Sequence, residues 1–543
     1  ADELAAESEA LTLADLERMR EANLKANIRA ALEPKLKEDD LRPAREPIEQ
    51  YPHVYDLLQT IKTTASYVGD SKLLLPLGVE KKDHRTHEEV AIPLISSNEA
   101  TKAFLSTFPS IAVADADEFV RTGFQGFTRL NLIQSTVFQT AYQSDNQNML
   151  ICAPTGAGKT NIAMLAVLNI LKNYSVDGVS PRGGLQLDQF KIVYIAPMKA
   201  LCAEMTASFG KRLAPFGVNV RELTGDMQLT SKEILETQML VVTPEKWDVV
   251  TRKSVGDVQL LDLVRLIIID EVHLLQSDRG HVLETLVART VRYVEQAQKC
   301  IRLVGLSATL PSYLDVARFL HVDLYRGLFV FDERFRPVPL QKCFIGVKGQ
   351  NKQQLNSDMD EITFGKVREM LVAEEQVMVF VHSRNATLNL GGFLIERAQY
   401  ARPEEEGGLG GSSSSSSAGA TNIASLFKAD TEKLAFSEKL ISRARYRNLN
   451  RLLLAGVGVH HAGMPRAERN IVEKLFRAGV IKVLVCTSTL AWGVNLPAHA
   501  VSFWNPLEPW FFTNLLLFLR SSSAAPSSTT RRPATSSTWT CST

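Results

Sequence analysis

The sequence predicts an α/β protein built on two tandem domains, each a parallel sheet flanked by helices. Three observations carry this. From about residue 120 to 335, apolar strand candidates alternate with amphipathic helices: NMLICA, KIVYIAP, MLVVTP, LVRLIIID and IRLVGLSAT each end in a polar or Gly/Pro turn. A second set, QVMVFVHS, GVGVHHAG, IKVLVCTST and AVSFW, follows from about 340. The first of these strands also runs straight into a Gly-rich turn that opens a helix, and in such sheets ligands gather at the carboxyl ends of the strands.

The 543 residues exceed one ordinary core and divide by composition into four regions. Residues 1–118 read as a charged, partly helical accessory arm, with HEEVAIPLI a short extended segment inside it. Residues 119–338 form the first domain and 339–501 the second, which carries the flexible low-complexity insertion PEEEGGLGGSSSSSSAGA at 403–420. Residues 502–543 read as an aberrant or disordered tail, because their Ser/Thr/Pro-rich end has no apolar period. A formal net charge of +1 excludes binding by bulk basicity, so any nucleic-acid site must be a local groove. The six cysteines lack CxxC pairing, which gives neither a zinc framework nor a disulfide scaffold and fits a reducing compartment, nucleus or cytoplasm. No apolar run approaches the ~20 residues of a membrane span; WFFTNLLLFL at 510–519 is too short. The acidic N-terminus has no secretory signal pattern and no initiator Met, as an internal start would.

The Gly-rich turn is APTGAGKT, comprising Ala153, Pro154, Thr155, Gly156, Ala157, Gly158, Lys159 and Thr160. Such a loop points successive backbone N–H groups at one spot, and the following helix N-terminus adds partial positive charge, so polyphosphate is favoured. Lys159 would reach the β- and γ-phosphates and Thr160 would place its hydroxyl on Mg²⁺. Ala153 replaces the usual first glycine. ATP or GTP is the expected ligand. Downstream, LIIIDEVHLL sets Asp270, Glu271 and His273 at a strand end, Asp270 to hold Mg²⁺ through water and Glu271 to orient or deprotonate the attacking water. Ser307, Ala308 and Thr309 end another strand, where two hydroxyls can reach those carboxylates and couple them to motion.

These segments, in order with LNLIQS, APMKALCAEM, TGDMQL, TPEKWDVVTRK, VFVHSR, HHAGM and TSTLAWGVNLPAH, resemble the superfamily 2 DExH helicases of the Ski-like group over roughly residues 120–501. TGDMQLTSKEILETQMLVVTPEKWDVVTRKSVGD and DEVHLLQSDRGHVLETLVAR are similar to the two-cassette branch of that group, to which the helicases of the activating signal cointegrator complex and of the spliceosomal U5 snRNP belong. The resemblance implies two RecA-like domains that use ATP and Mg²⁺ to move on nucleic acid, 3′ to 5′, within a multiprotein complex. It implies roles in alkylation-damage DNA repair and in splitting collided ribosomes; a spliceosomal RNA role is the alternative, and DNA and RNA stay undistinguished. By the same resemblance Gln134 reads the adenine edge, with Phe127 a base-stacking neighbour. Pro197, Lys199, Ala200, Thr224, Gly225, Thr243, Pro244 and Glu245 line the strand track, where backbone amides and short hydroxyls suit phosphate contacts without sequence information. In the second domain His382, Ser383, Arg384, His460, His461, Gly463 and Thr487 face the strand, and Gly493 and Asn495 face the nucleotide. The paired histidines could suggest a metal, but neighbours on a strand point to opposite faces and no further ligands accompany them.

One departure bears on activity. The group continues past AWGVNLPAH into a helix bearing QxxGRxGR, whose arginines reach the γ-phosphate and can supply ~10³ to 10⁵ in rate. Residues 502–543 hold no such motif, so the second domain reads as incomplete, through either a misread end or a truncated isoform. Two classes of function follow as expectations: an ATP-driven motor, with weak turnover in this chain, or a non-hydrolysing nucleotide-binding clamp or scaffold.

Overall fold

A computed structural model of the chain describes residues 51–56, 63–68, 71–76, 78–92, 99–144, 146–178, 180, 183–225, 229–253, 258–348, 351–400, 423–427, 437–442, 447–488, 490, 496, 498–504 and 515–521, with 63–68, 71–76, 231, 253, 258–259, 352, 423–424, 447–448, 504 and 515–521 described by backbone alone. The insertion at 403–420 and most of the N-terminal arm and tail lie outside these residues.

Among the described residues the first sheet has eight strands, all parallel. In spatial order they are Val54–Tyr55, Leu328–Phe331, Met149–Cys152, Arg302–Ser307, Val264–Ile269, Lys191–Ile195, Met239–Val242 and Val220–Leu223. Met149–Cys152, Lys191–Ile195, Met239–Val242 and Arg302–Ser307 are buried at every position, which is why they read as continuous apolar runs without alternation. Helices Lys159–Asn173 and Lys199–Leu213 pack on one face, through residues such as Ile162, Leu165, Cys202 and Phe209. The other face meets Trp247, Leu283, Leu286 and Ala317 from three further helices.

The second sheet is mixed. Val457–His460, Val483–Thr487, Val377–Val381 and Ala500–Trp504 run parallel, and Leu515–Ser521, Leu340–Val347, His87–Ile92 and Glu80–Asp83 continue the sheet antiparallel. Two expected boundaries therefore shift. Residues 80–92 are no separate arm: Val90 opposes Phe344 and the hairpin occupies the sheet edge, while Val54–Tyr55 joins the first sheet. Nor does the second domain stop at Val501, since Ser502–Trp504 extend its last parallel strand and Leu515–Ser521 pairs with both Ala500–Trp504 and Leu340–Val347. The apolar stretch before Ser521 supplies a strand even though the composition beyond it turns polar.

Candidate nucleotide site and strand track

Parallel strands put all their carboxyl ends on one edge, and here that edge divides by chemistry. Met149–Cys152 ends in the phosphate loop, its neighbour Arg302–Ser307 ends in Ser307-Ala308-Thr309, and the next strand, Val264–Ile269, ends in Asp270-Glu271. The hydroxyl motif therefore sits between the lysine loop and the acidic pair. The remaining strands, Lys191–Ile195, Met239–Val242 and Val220–Leu223, end in Pro197-Met198-Lys199, Thr243-Pro244-Glu245 and Thr224-Gly225. One half of the edge collects the expected nucleotide groups and the other the expected strand groups.

The phosphate loop is shaped by two glycines in the left-handed region, Gly156 at φ 77° and Gly158 at φ 84°. Gly158 is the N-cap of Lys159–Asn173, and a Cβ there would come within 2.5 Å of the Gln134 amide nitrogen. Asn131 Nδ2 donates to the Ala157 carbonyl (2.8 Å) and Gln134 Nε2 to the Gly158 carbonyl (3.2 Å), so the capping box of helix Leu132–Phe138 also clamps the loop. Gln134 is buried, with one donor and one acceptor engaged; an amide has a second of each, the capacity left for an adenine edge. Phe127 stands 48% exposed nearby in the chain, beneath the guanidinium of Arg212 at 5.8 Å. Lys159 Nζ donates to the Ala153 carbonyl (3.0 Å) across the loop.

At the acidic end, Asp270 Oδ2 accepts from the Tyr194 hydroxyl (2.7 Å) and Oδ1 from the Glu271 N–H (3.0 Å). Burial, then the neighbouring Glu271 charge, push the Asp270 carboxyl above the usual range. Glu271 is held at φ 54°, a left-handed conformation costly for a non-glycine residue. Its Oε2, the His273 Nδ1 and the Ser307 Oγ are all buried without a hydrogen-bond partner, although Oε2 and Nδ1 lie 3.3 Å apart. Burial, then the Lys159 charge, hold His273 below the ordinary histidine value. Orphaned buried polar atoms are rare and ask for a partner. A hydrated divalent cation and a polyphosphate would supply positive charge for Asp270 and acceptors and donors for the rest, so the residues fit ATP with Mg²⁺, which Thr160 and Asp270 would hold.

On the other half of the edge, Pro197, Lys199, Ala200, Gly225, Thr243 and Glu245 line one cleft of about 590 Å³. Thr224 and Pro244 are buried beside it: the Thr224 hydroxyl donates to Glu222 (3.0 Å), and Pro244 starts helix Pro244–Lys253 at the position that needs no N–H. Four further cleft residues lie within quoted segments but were not expected on the track: Met198, Lys246, Val249 and Arg279. Arg279 Nη1 donates to the Pro197 carbonyl (2.6 Å) and Nε lies 3.5 Å from Glu245. It comes from the segment just after DEVH, and only the fold shows that this segment reaches the cleft.

In the second sheet, the strands ending at Val381, His460 and Thr487 are neighbours. His382, Ser383 and Arg384 are exposed there, and a Cβ on Gly463 would meet Arg384 and His461 side chains at 3.2 Å, so the two motifs adjoin. His460 does not face a strand as expected: it is buried, with Nε2 3.1 Å from Glu473 on helix Arg466–Arg477. Alternation puts its side chain into the core and His461 outward. The Thr487 side chain is likewise buried. Gly493 and Asn495 lie outside the described residues. Among the described residues the one group of three or more candidate metal ligands is His84, His87 and Glu89, on the edge hairpin.

A phosphate loop and a DExH strand end with a hydroxyl strand between them is the arrangement of a DExH helicase, and the chain belongs to that family: "DEAD/DEAH box helicase" matches residues 131–316 and "Helicase conserved C-terminal domain" matches 423–506. Among individual proteins it is similar to activating signal cointegrator 1 complex subunit 3 of Homo sapiens, 52% identical over 83% of this chain and 19% of that protein. It is also similar to the RQC trigger complex helicase SLH1 of Saccharomyces cerevisiae (46% over 85% of this chain and 22% of that protein) and to the DExH-box ATP-dependent RNA helicase DExH14 of Arabidopsis thaliana (44% over 90% and 21%). The chain spans about a fifth of the length of these relatives.

Proposed function

We propose that the chain is the ATP-driven motor of a nucleic-acid helicase, translocating 3′ to 5′ along one strand. The observation that carries this is the divided sheet edge. The strand ending in Asp270 and Glu271 lies beside the strand ending in Pro197 and Lys199, so a change at the nucleotide is one strand away from the nucleic-acid cleft. Lys159 exchanges the Ala153 carbonyl for phosphate oxygens, and Glu271, with one carboxylate oxygen unpartnered, orients the attacking water. Ser307, between loop and acidic pair, takes its missing partner from one of them and so reports the nucleotide state. Strand contacts made through backbone and Lys199, Lys246 and Arg279 favour phosphates of any sequence, and affinity falls as salt rises.

The relatives' names support a further reading, a subunit of an activating signal cointegrator-type or RQC trigger-type complex; from the sequence resemblance we add to it action in alkylation-damage repair and in splitting collided ribosomes, in nucleus and cytoplasm. For the 543-residue chain alone, whose residues hold no QxxGRxGR, turnover is expected to be weak. The test is ATP hydrolysis with and without single-stranded RNA or DNA, against Lys159→Ala and Glu271→Gln. Strand-stimulated turnover lost in both variants supports the motor. Nucleotide binding without any turnover leaves a clamp, and turnover indifferent to Lys159 sinks the assignment.

A further inference from the structure

The geometry points to Arg336 as a phosphate-sensing residue through which the segment joining the two sheets reads the nucleotide; this rests on the reading of APTGAGKT as the ATP site. The chain leaves the first sheet at Phe331 and enters the second at Leu340. Within that crossing, Arg336 Nη2 donates to the Thr155 hydroxyl (3.2 Å), so the connecting segment touches the phosphate loop directly.

The mount is rigid on both sides. Before it, Phe335 is buried, its ring 4.9 Å from Phe108, 5.0 Å from Phe331 and 5.4 Å from Tyr55. The turn Glu333–Phe335 is capped by Asp332 and closed by the Arg336 N–H on the Glu333 carbonyl. After it, Pro337 forbids the helical region to Arg336, which sits at φ −71°, ψ 122°. Proline again at 339 stiffens the exit toward the second sheet. The guanidinium is therefore delivered to the loop by the backbone rather than by a flexible tether.

A neutral hydroxyl is a modest acceptor for a guanidinium; a phosphate oxygen is a much stronger one, since charge-assisted pairs are roughly twice as strong and Arg matches phosphate bidentately. When a triphosphate occupies the loop, its terminal phosphate competes with Thr155 for Arg336. The guanidinium follows the charge, and because both flanks are stiff, the displacement passes into the segment leading to Leu340. A diphosphate offers less charge at that end and leaves Arg336 on Thr155.

The experiment measures affinity of the 543-residue chain for a non-hydrolysable ATP analogue and for ADP, with Arg336→Ala and Arg336→Lys, and thermal unfolding of each to confirm the fold. Arg336→Ala is expected to weaken the triphosphate about tenfold or more, as loss of one charge-assisted hydrogen bond does, while ADP stays within about twofold by the same scale. Arg336→Lys should recover part of the preference. Equal losses for both nucleotides, or none, overturn the inference alone while Lys159-dependent binding persists. Failure of the parent chain to bind nucleotide through Lys159 overturns the site reading and the inference together.

Discussion

Gly158→Ala tests the loop geometry most directly. An alanine at φ 84° carries the left-handed penalty, about 1–2 kcal/mol. Its Cβ would also stand 2.5 Å from Gln134 Nε2 and 3.1 Å from Asn131 Nδ2, so the Gln134 amide must leave the Gly158 carbonyl, a further ~0.5–1.5 kcal/mol net for each hydrogen bond given up. The sum is about 1.5–3.5 kcal/mol, applied to the loop expected to hold the phosphates. If the loop relaxes to escape it, nucleotide must reimpose the shape, and affinity falls roughly 10- to 300-fold at ~1.4 kcal/mol per decade. Gly217→Ala is the control: its φ is 70°, but an added Cβ meets nothing within 4 Å, so it carries the backbone penalty alone and sits away from the loop. A fluorescent-nucleotide titration with thermal unfolding measures both. A Gly158→Ala chain binding within about threefold of the parent, and unfolding no earlier than Gly217→Ala, would refute the steric argument.

Two other expectations concern stability. Arg302 is fully buried at the start of its strand and donates to the carbonyls of Thr140, Ala141 and Gln147 and to the Asn169 side chain; Arg302→Ala strands these acceptors and should destabilise the first domain by at least about 3 kcal/mol in urea unfolding, with a neutral result excluding the network as a stabiliser. Lys191 is buried with its ammonium on the carbonyls of Leu235 and Thr237, and burial lowers its pKa to about 8 from the ordinary 10.5. Between those values the unfolded chain binds the extra proton, so stability rises with pH across that window, by about 3 kcal/mol at full effect. Lys191→Met should remove that alkaline rise when unfolding is compared at pH 7.5 and pH 10; an unchanged rise would place its origin elsewhere.

The expected chemistry and its order along the chain are legible in the residues alone. APTGAGKT announces a phosphate loop because glycine is the residue that takes φ near 80° without strain, and Gly156 and Gly158 do so. DEVH and SAT announce strand ends because the runs before them are apolar on both faces, and those strands are buried throughout or nearly so. That same two-faced burial hid which strands are neighbours: a strand apolar on both sides carries no mark of its partner, and local periodicity is blind to pairings made across hundreds of residues. The tertiary structure was needed to sort the strand ends into one half that collects the expected nucleotide groups and another that collects the expected strand groups. It also withdrew His460 into the core, carried residues 80–92 to the edge of the second sheet, and brought Arg279 to the cleft and Arg336 to Thr155. An arginine in a connecting segment looks like any solvated charge until the fold delivers its guanidinium to a particular acceptor, because long-range proximity arises from packing and not from sequence spacing.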